Sequence, residues 1–148
     1  MDELTIREAK KEDLVQLLEL YTQLNNNTMP ELDIMLEGVW DGMLADKGHH
    51  VIVGVLCGCI ISTCVVTIIP NLTHSHRPYA LIESVVTDRE HRKKGYGTQI
   101  LDYARQIAVR ENCYKISLMT GSKEESTLNF YRNAGYNSND KTAFIQWL

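Results

Sequence analysis

The chain has 148 residues, a net charge of -4, 44% apolar residues and 23% charged ones. That length suits one domain, residues 1–148, able to bury roughly two-thirds of its unfolded surface without disulfide or metal staples. The mild acidity gives no reason to expect a nucleic-acid or membrane partner and tolerates a small amine or a basic peptide.

The N-terminus MDELTIREAKKEDL is charged from its second residue, so no secretory signal is expected. Residues 4–8 alternate apolar and polar as a short strand does, and Leu14, Leu17, Leu18 and Tyr21 then recur at helical spacing. The polar run Asn25-Asn26-Asn27-Thr28-Met29-Pro30 breaks that helix. Leu32, Met35, Leu36, Val39, Trp40 and Met43 predict a second one ending near Gly48. Trp40 and Met43 read as core, or as the wall of an acceptor groove.

Residues 50–55 and 59–69 are rich in Val, Ile, Thr and Cys and predict a β-hairpin, with His49 and His50 marking its start. Gly54, Gly58, Ser62 and Thr63 interrupt the apolar run 51–70, which argues against a membrane span. Cys57, Cys59, Cys64 and Cys113 follow no metal-ligand spacing. The first three lie in the β-branched run and are expected to be reduced core fillers in a cytoplasmic protein. Residues 70–78 form a loop by their two prolines, and 79–88 predict a third strand of this sheet. A helix over 95–111 buries Ile100, Leu101, Ala104, Ile107 and Ala108. A strand over 115–119 follows, then a helix over 126–134 closed by Gly135, and a last strand over 142–147. The order β-α-α-β-β-β-α-β-α-β is that of a mixed α/β domain without repeats.

The stretch HRKKGYGTQIL sets Arg92, Lys93 and Lys94 with two glycines ahead of a helix, where unpaired amides and the helix dipole favour a phosphate or pyrophosphate. A dinucleotide fingerprint would need glycine at position 100, which is Ile100, and a P-loop would need lysine after its last glycine, where Thr98 stands. The spacing R-x-x-G-x-G remains, beside the reading of a basic surface turn.

The segments IESVVTDREHRKKGYGTQIL and KISLMTGSKEESTLNFYRNAGY resemble the GNAT superfamily of acyl-CoA-dependent N-acetyltransferases. The element order matches that fold along essentially the whole chain. The segment running from Asn112 to Leu118 is locally similar to glucosamine-6-phosphate N-acetyltransferases. The resemblance implies a central mixed sheet of six to seven strands flanked by about four helices. It implies acetyl-CoA as acyl donor, with no metal, a small-molecule primary amine as acceptor and direct attack in a ternary complex. Amides of Lys93, Lys94, Gly95, Tyr96, Gly97 and Thr98 would cradle the diphosphate beside Arg92, and main chain at Ser84, Val85 and Val86 would pair with the pantetheine arm. Many family members carry glycine directly after the arginine, where this chain has Lys93.

Tyr131 is the expected acid toward the departing thiolate, against a purely packing role beside Leu128 and Ala134; Asn129 would bond the pantetheine or stay solvated. Glu83 is the expected base, because a carboxylate inside the run 80–86 is costly to bury without a purpose, against the alternative that an edge or groove-facing strand simply exposes it. Val86 N–H would polarise the thioester carbonyl. His74 and His76 lack a third metal ligand and, with Arg77 and Tyr79, are candidate acceptor contacts. Cys113 has no base beside it and reads as core. Two other functions fit the same residues: a non-catalytic acyl-CoA-binding or regulatory module, and acetylation of a protein or peptide amine. Phe144, Ile145 and Trp147 offer apolar surface that could pair across a homodimer.

Overall fold

A computed structural model of the chain describes residues 2–24 and 27–148, so Asn25 and Asn26 of the predicted helix break lie outside it. Five strands form one sheet in the order β1-β2-β3-β4-β5. β1 (Thr5–Glu8), β2 (His49–Leu56), β3 (Cys59–Ile69) and β4 (Tyr79–Thr87) run antiparallel in sequence, and β5 (Ile116–Leu118) lies parallel to β4. The β2–β3 turn is Cys57-Gly58, with φ of 50° and 79°, the left-handed pair that matches the twist of a two-residue hairpin. The parallel β4–β5 pair requires a crossover, supplied by α4 (Tyr96–Arg110).

The alternation of strand residues sorts the core into two faces. Ile52, Cys64, Val66, Ala80 and Ile82 point toward α4, whose buried residues are the five predicted, Ile100, Leu101, Ala104, Ile107 and Ala108. α5 (Glu125–Asn133) joins this face through Phe130 and Tyr131, and Gly135, at φ 99°, ends it as predicted. Val51, Val53, Val65 and Val86 point the other way, against Leu17 and Leu20 of α1 (Leu14–Tyr21) and Trp40 of α2 (Ile34–Ala45). Each such fully buried aliphatic side chain contributes about 1.5–3 kcal/mol. Asp13, buried ahead of α1, accepts both arms of the Arg7 guanidinium at 2.6 and 3.1 Å and the Lys10 N–H at 2.7 Å. That pairing holds its carboxyl below the ordinary range.

Four expectations are corrected. The sheet has five strands rather than six or seven: residues 137–148 form neither helix nor strand, and Phe144 and Trp147 are 91% and 86% exposed. A strand needs a partner edge, and alternation alone does not supply one. Among the described residues the α-helices number five, because residues Thr73–His76 form a single turn, α3, inside the predicted loop; His74, Ser75 and His76 have left-handed φ values there. On α2 only part of the predicted stripe faces inward: Trp40 is buried and donates Nε1–H to Lys11 O at 3.1 Å, while Met35 and Val39 are exposed. Cys57 and Cys59 are exposed at the hairpin turn rather than core fillers, and all four cysteines are free.

Candidate active site

The basic, glycine-interrupted turn begins where β4 ends. Asp88 N–H bonds Ile61 O at 2.7 Å, and the Asp88 carboxylate caps the short turn Arg89–His91 through Glu90 N–H at 2.8 Å. Gln23, after α1, donates to the other carboxylate oxygen at 2.9 Å and accepts the Arg89 N–H at 2.9 Å. The Gln23 bond, ahead of the opposing effect of burial, holds the Asp88 carboxyl below its ordinary range. Arg92 turns back so that Nε–H bonds Thr87 O at 2.9 Å, and Lys94 Nζ bonds Glu90 O at 3.2 Å. Both cations therefore brace the loop as well as charging it.

Lys93 and Gly95 adopt φ of 60° and 84°, and Gly95 is the N-cap of α4 without any side-chain cap. Glycine takes this conformation freely, whereas a lysine there costs about 1–2 kcal/mol. Lys93 thus occupies a position whose backbone suits glycine. Among the described residues, no backbone N–H from Lys93 to Thr98 donates to protein. The first turn of α4 presents open amides and a partial positive charge, a site for an anion. Gly97 serves another purpose: a Cβ there would meet the Phe130 ring at 3.0 Å and Thr87 Oγ1 at 3.3 Å. Its absence lets Phe130 of α5 and Thr87 of β4 close on the first turn of α4.

On β4 the register slips. Thr63 pairs with Val86 and Val65 with Glu83, so Cys64 alone faces both Ser84 and Val85. Ser84 absorbs the extra residue at φ 53°, as a β-bulge requires. Pairing to β5 ends at Ile82 and Leu118, so the rest of β4, through Thr87, has no partner strand on that edge. The main chain at Ser84, Val85 and Val86 is where an amide-bearing arm could add as a strand.

Glu83 is exposed, not buried, which corrects the expectation based on burial cost. It sits opposite Val65, on the α1 face, while Tyr131 packs on the α4 face beside Phe130 at 4.9 Å between ring centroids. The two groups therefore lie on opposite faces of the sheet. Burial, and then the nearby Cys64 thiol, raise the Tyr131 phenol above its ordinary range, so it holds its proton at neutral pH and can donate it. Cys64 itself is fully buried and pushed up to about 12, which makes it an inert neighbour. Asn129 is exposed and its Oδ1 accepts from Arg132 at 3.1 Å. Cys113 is half-buried and raised by burial, in line with a packing role.

The candidate acceptor contacts do not join this group. His74 stacks on Tyr114 at 3.8 Å, Tyr79 meets the same ring edge-on, and Arg77 bonds the carbonyls of Asn112 and Cys113 at 3.1 and 2.9 Å. They lie at the start of β4, about 13 Å along the strand from Glu83. Among the described residues no three His, Cys, Asp or Glu side chains are placed to hold a metal ion, and no helix is long and apolar enough to cross a membrane. Sequence reasoning missed Gln23, whose partners are 65 and 66 residues away, and Tyr21, whose phenol burial pushes up to about 12. A glutamine and a tyrosine at those positions carry no local signature.

No curated protein sequence matches the chain. Among solved structures, a candidate acetyltransferase from Agrobacterium tumefaciens str. C58 is 38% identical, with a TM-score of 0.88, covering 97% of this chain and 99% of that one. A glucosamine-6-phosphate N-acetyltransferase from Arabidopsis thaliana is 22% identical, with a TM-score of 0.86 over 98% of both chains. An aminoglycoside N-acetyltransferase in complex with CoA is 14% identical, with a TM-score of 0.82 over 99% of this chain and 96% of that one. The latter two likenesses are of fold alone. The family model for Acetyltransferase (GNAT) matches residues 11–136, which span the bulged strand, the open-amide loop and the helix of Tyr131. The chain therefore belongs to the GNAT family of acetyltransferases, which carry out acyl-CoA-dependent acetyl transfer.

Proposed function

We propose that the chain moves acetyl from acetyl-CoA to the primary amine of a small molecule by direct attack within a ternary complex. The observation that carries this reading is the close approach of the Phe130 ring to Gly97, which seats α5, the helix of the proton-bearing Tyr131, against the first turn of α4 and its open amides. Acetyl-CoA supplies the thioester and a diphosphate that the amides from Lys93 to Thr98 suit. Lys93, Lys94 and Arg92 add positive charge around it. Main chain at Ser84 and Val85, both opposite Cys64 in the bulge, offers hydrogen bonds to the amide-bearing arm, while Val86 is held in the ladder opposite Thr63. Glu83 accepts the proton of the acceptor ammonium, directly or through water, since an alkyl amine with pKa near 10 arrives protonated. Tyr131 donates its proton to the departing thiolate. Asn129 has a free amide for the donor arm.

The net charge of -4 and the exposed Glu83 on the α1 face favour a cationic acceptor approaching between α1, α2 and β4. The apolar tail, with Phe144, Ile145 and Trp147 facing away from its own chain, supports a homodimer that covers it. Free thiols suit a cytoplasmic setting. Thiol release on an amine panel tests the reading: turnover on a small amine, lost in Tyr131→Phe, is the expected result. Tight acetyl-CoA binding without turnover on any amine would replace it with a non-catalytic module, and turnover only on peptides would move the acceptor to a protein amine.

A further inference from the structure

We propose that Gln23 is a positioning residue that fixes the diphosphate-binding loop and ties it to the acceptor-side helix α1. The inference rests on the acetyl-CoA reading and adds a residue far from the loop in sequence.

A carboxamide presents one donor and one acceptor in a single plane, and Gln23 uses both. Nε2 donates to Asp88 Oδ2 at 2.9 Å and Oε1 accepts the Arg89 N–H at 2.9 Å. Asp88 spends its second oxygen on Glu90 N–H at 2.8 Å and faces His91 Nδ1 at 3.2 Å, so one side chain sets the whole start of the loop. The turn beyond Arg92 needs such support: Lys93 and Gly95 take left-handed φ values, and the amides after them have no protein partner to define their direction. Gln23 can serve as a fixed point because its own N–H bonds Leu20 O at 3.1 Å, and Leu20 is buried in the α1 face of the core. Among the described residues no other side-chain hydrogen bond joins the end of α1 to this loop. Asparagine would be too short to reach, and glutamate could accept from Arg89 but not donate to Asp88.

The geometry allows an exchange test. In Gln23→Glu two carboxylates face each other. Adding Asp88→Asn turns the pair around, so that the new amide at position 88 donates to the new carboxylate at position 23, which still accepts from Arg89 N–H. CoA binding is measured by calorimetry, and KM for acetyl-CoA against kcat by thiol release. Gln23→Met and Gln23→Glu are each expected to weaken CoA binding about tenfold, the size of one or two lost hydrogen bonds, with the loss falling on KM rather than kcat. The double variant is expected to return to within about threefold of wild type. Equal CoA binding by wild type and Gln23→Met, or a double variant no better than Gln23→Glu, would overturn the proposal. If Gln23→Met does not fold, the comparison of Gln23→Glu with its double variant decides alone. A wild-type chain that binds no CoA would instead overturn the acetyl-CoA reading itself, and this proposal with it.

Discussion

In the proposed mechanism Glu83 and Tyr131 divide proton transfer between the two faces of the sheet, and each makes a separable prediction. Tyr131→Phe keeps the ring packed on Phe130 and removes only the donor, so kcat should fall about a hundredfold with KM for acetyl-CoA within about twofold, read by thiol release. Glu83→Gln should lower kcat/KM for the amine at neutral pH, and the deficit should shrink as pH rises toward the amine's own pKa near 10, where the acceptor arrives neutral. A third residue-scale prediction concerns stability. The Arg7 bond holds the folded Asp13 carboxyl below its unfolded value, so its stabilisation is complete above the unfolded pKa and is lost as pH falls through the folded one. Melting temperatures of wild type and Asp13→Asn should therefore differ at pH 6 and converge toward pH 2. The place of Tyr131 on a late helix was legible because it sits in a recognisable helix motif. Glu83 was legible as a position but not as an environment, since the bulge at Ser84 that shapes this stretch leaves no mark in the hydrophobic pattern.

The elements divide by how much of their definition is local. α4 was readable to the residue because its five buried positions repeat at helical spacing and nothing else competes for them. α2 was readable as a helix but not by face, since Met35 and Val39 satisfy the same periodicity as Trp40 and yet remain exposed. The loop into α4 was readable by composition. The work of Gly97 was not, because its partner is the Phe130 ring on another helix. Gly97→Ala should push that ring away, lowering stability by about 1–3 kcal/mol and weakening acetyl-CoA binding. Adding Phe130→Leu should recover most of the stability, as followed by denaturant unfolding.

At the scale of the molecule, a five-stranded sheet with helices on both faces ends its β4–β5 pairing at Ile82 and Leu118, with Glu83 just beyond on the α1 face, Tyr131 on the α4 face and the loop following Thr87. The sequence pattern implied an added terminal strand, and in the folded chain that segment is exposed and pairs with none of the described strands. Whether a segment becomes a strand depends on a partner, which alternation in one chain does not specify. On the proposed homodimer, removing residues 140–148 should leave the melting temperature within a few degrees while shifting the mass measured by light scattering from dimer to monomer. The most direct measurement is a crystal structure of the chain with CoA. The diphosphate should lie against the amides of Lys93 to Thr98, with the sulfur within hydrogen-bond reach of Tyr131; a diphosphate bound elsewhere, or a sulfur remote from that phenol, would contradict the account.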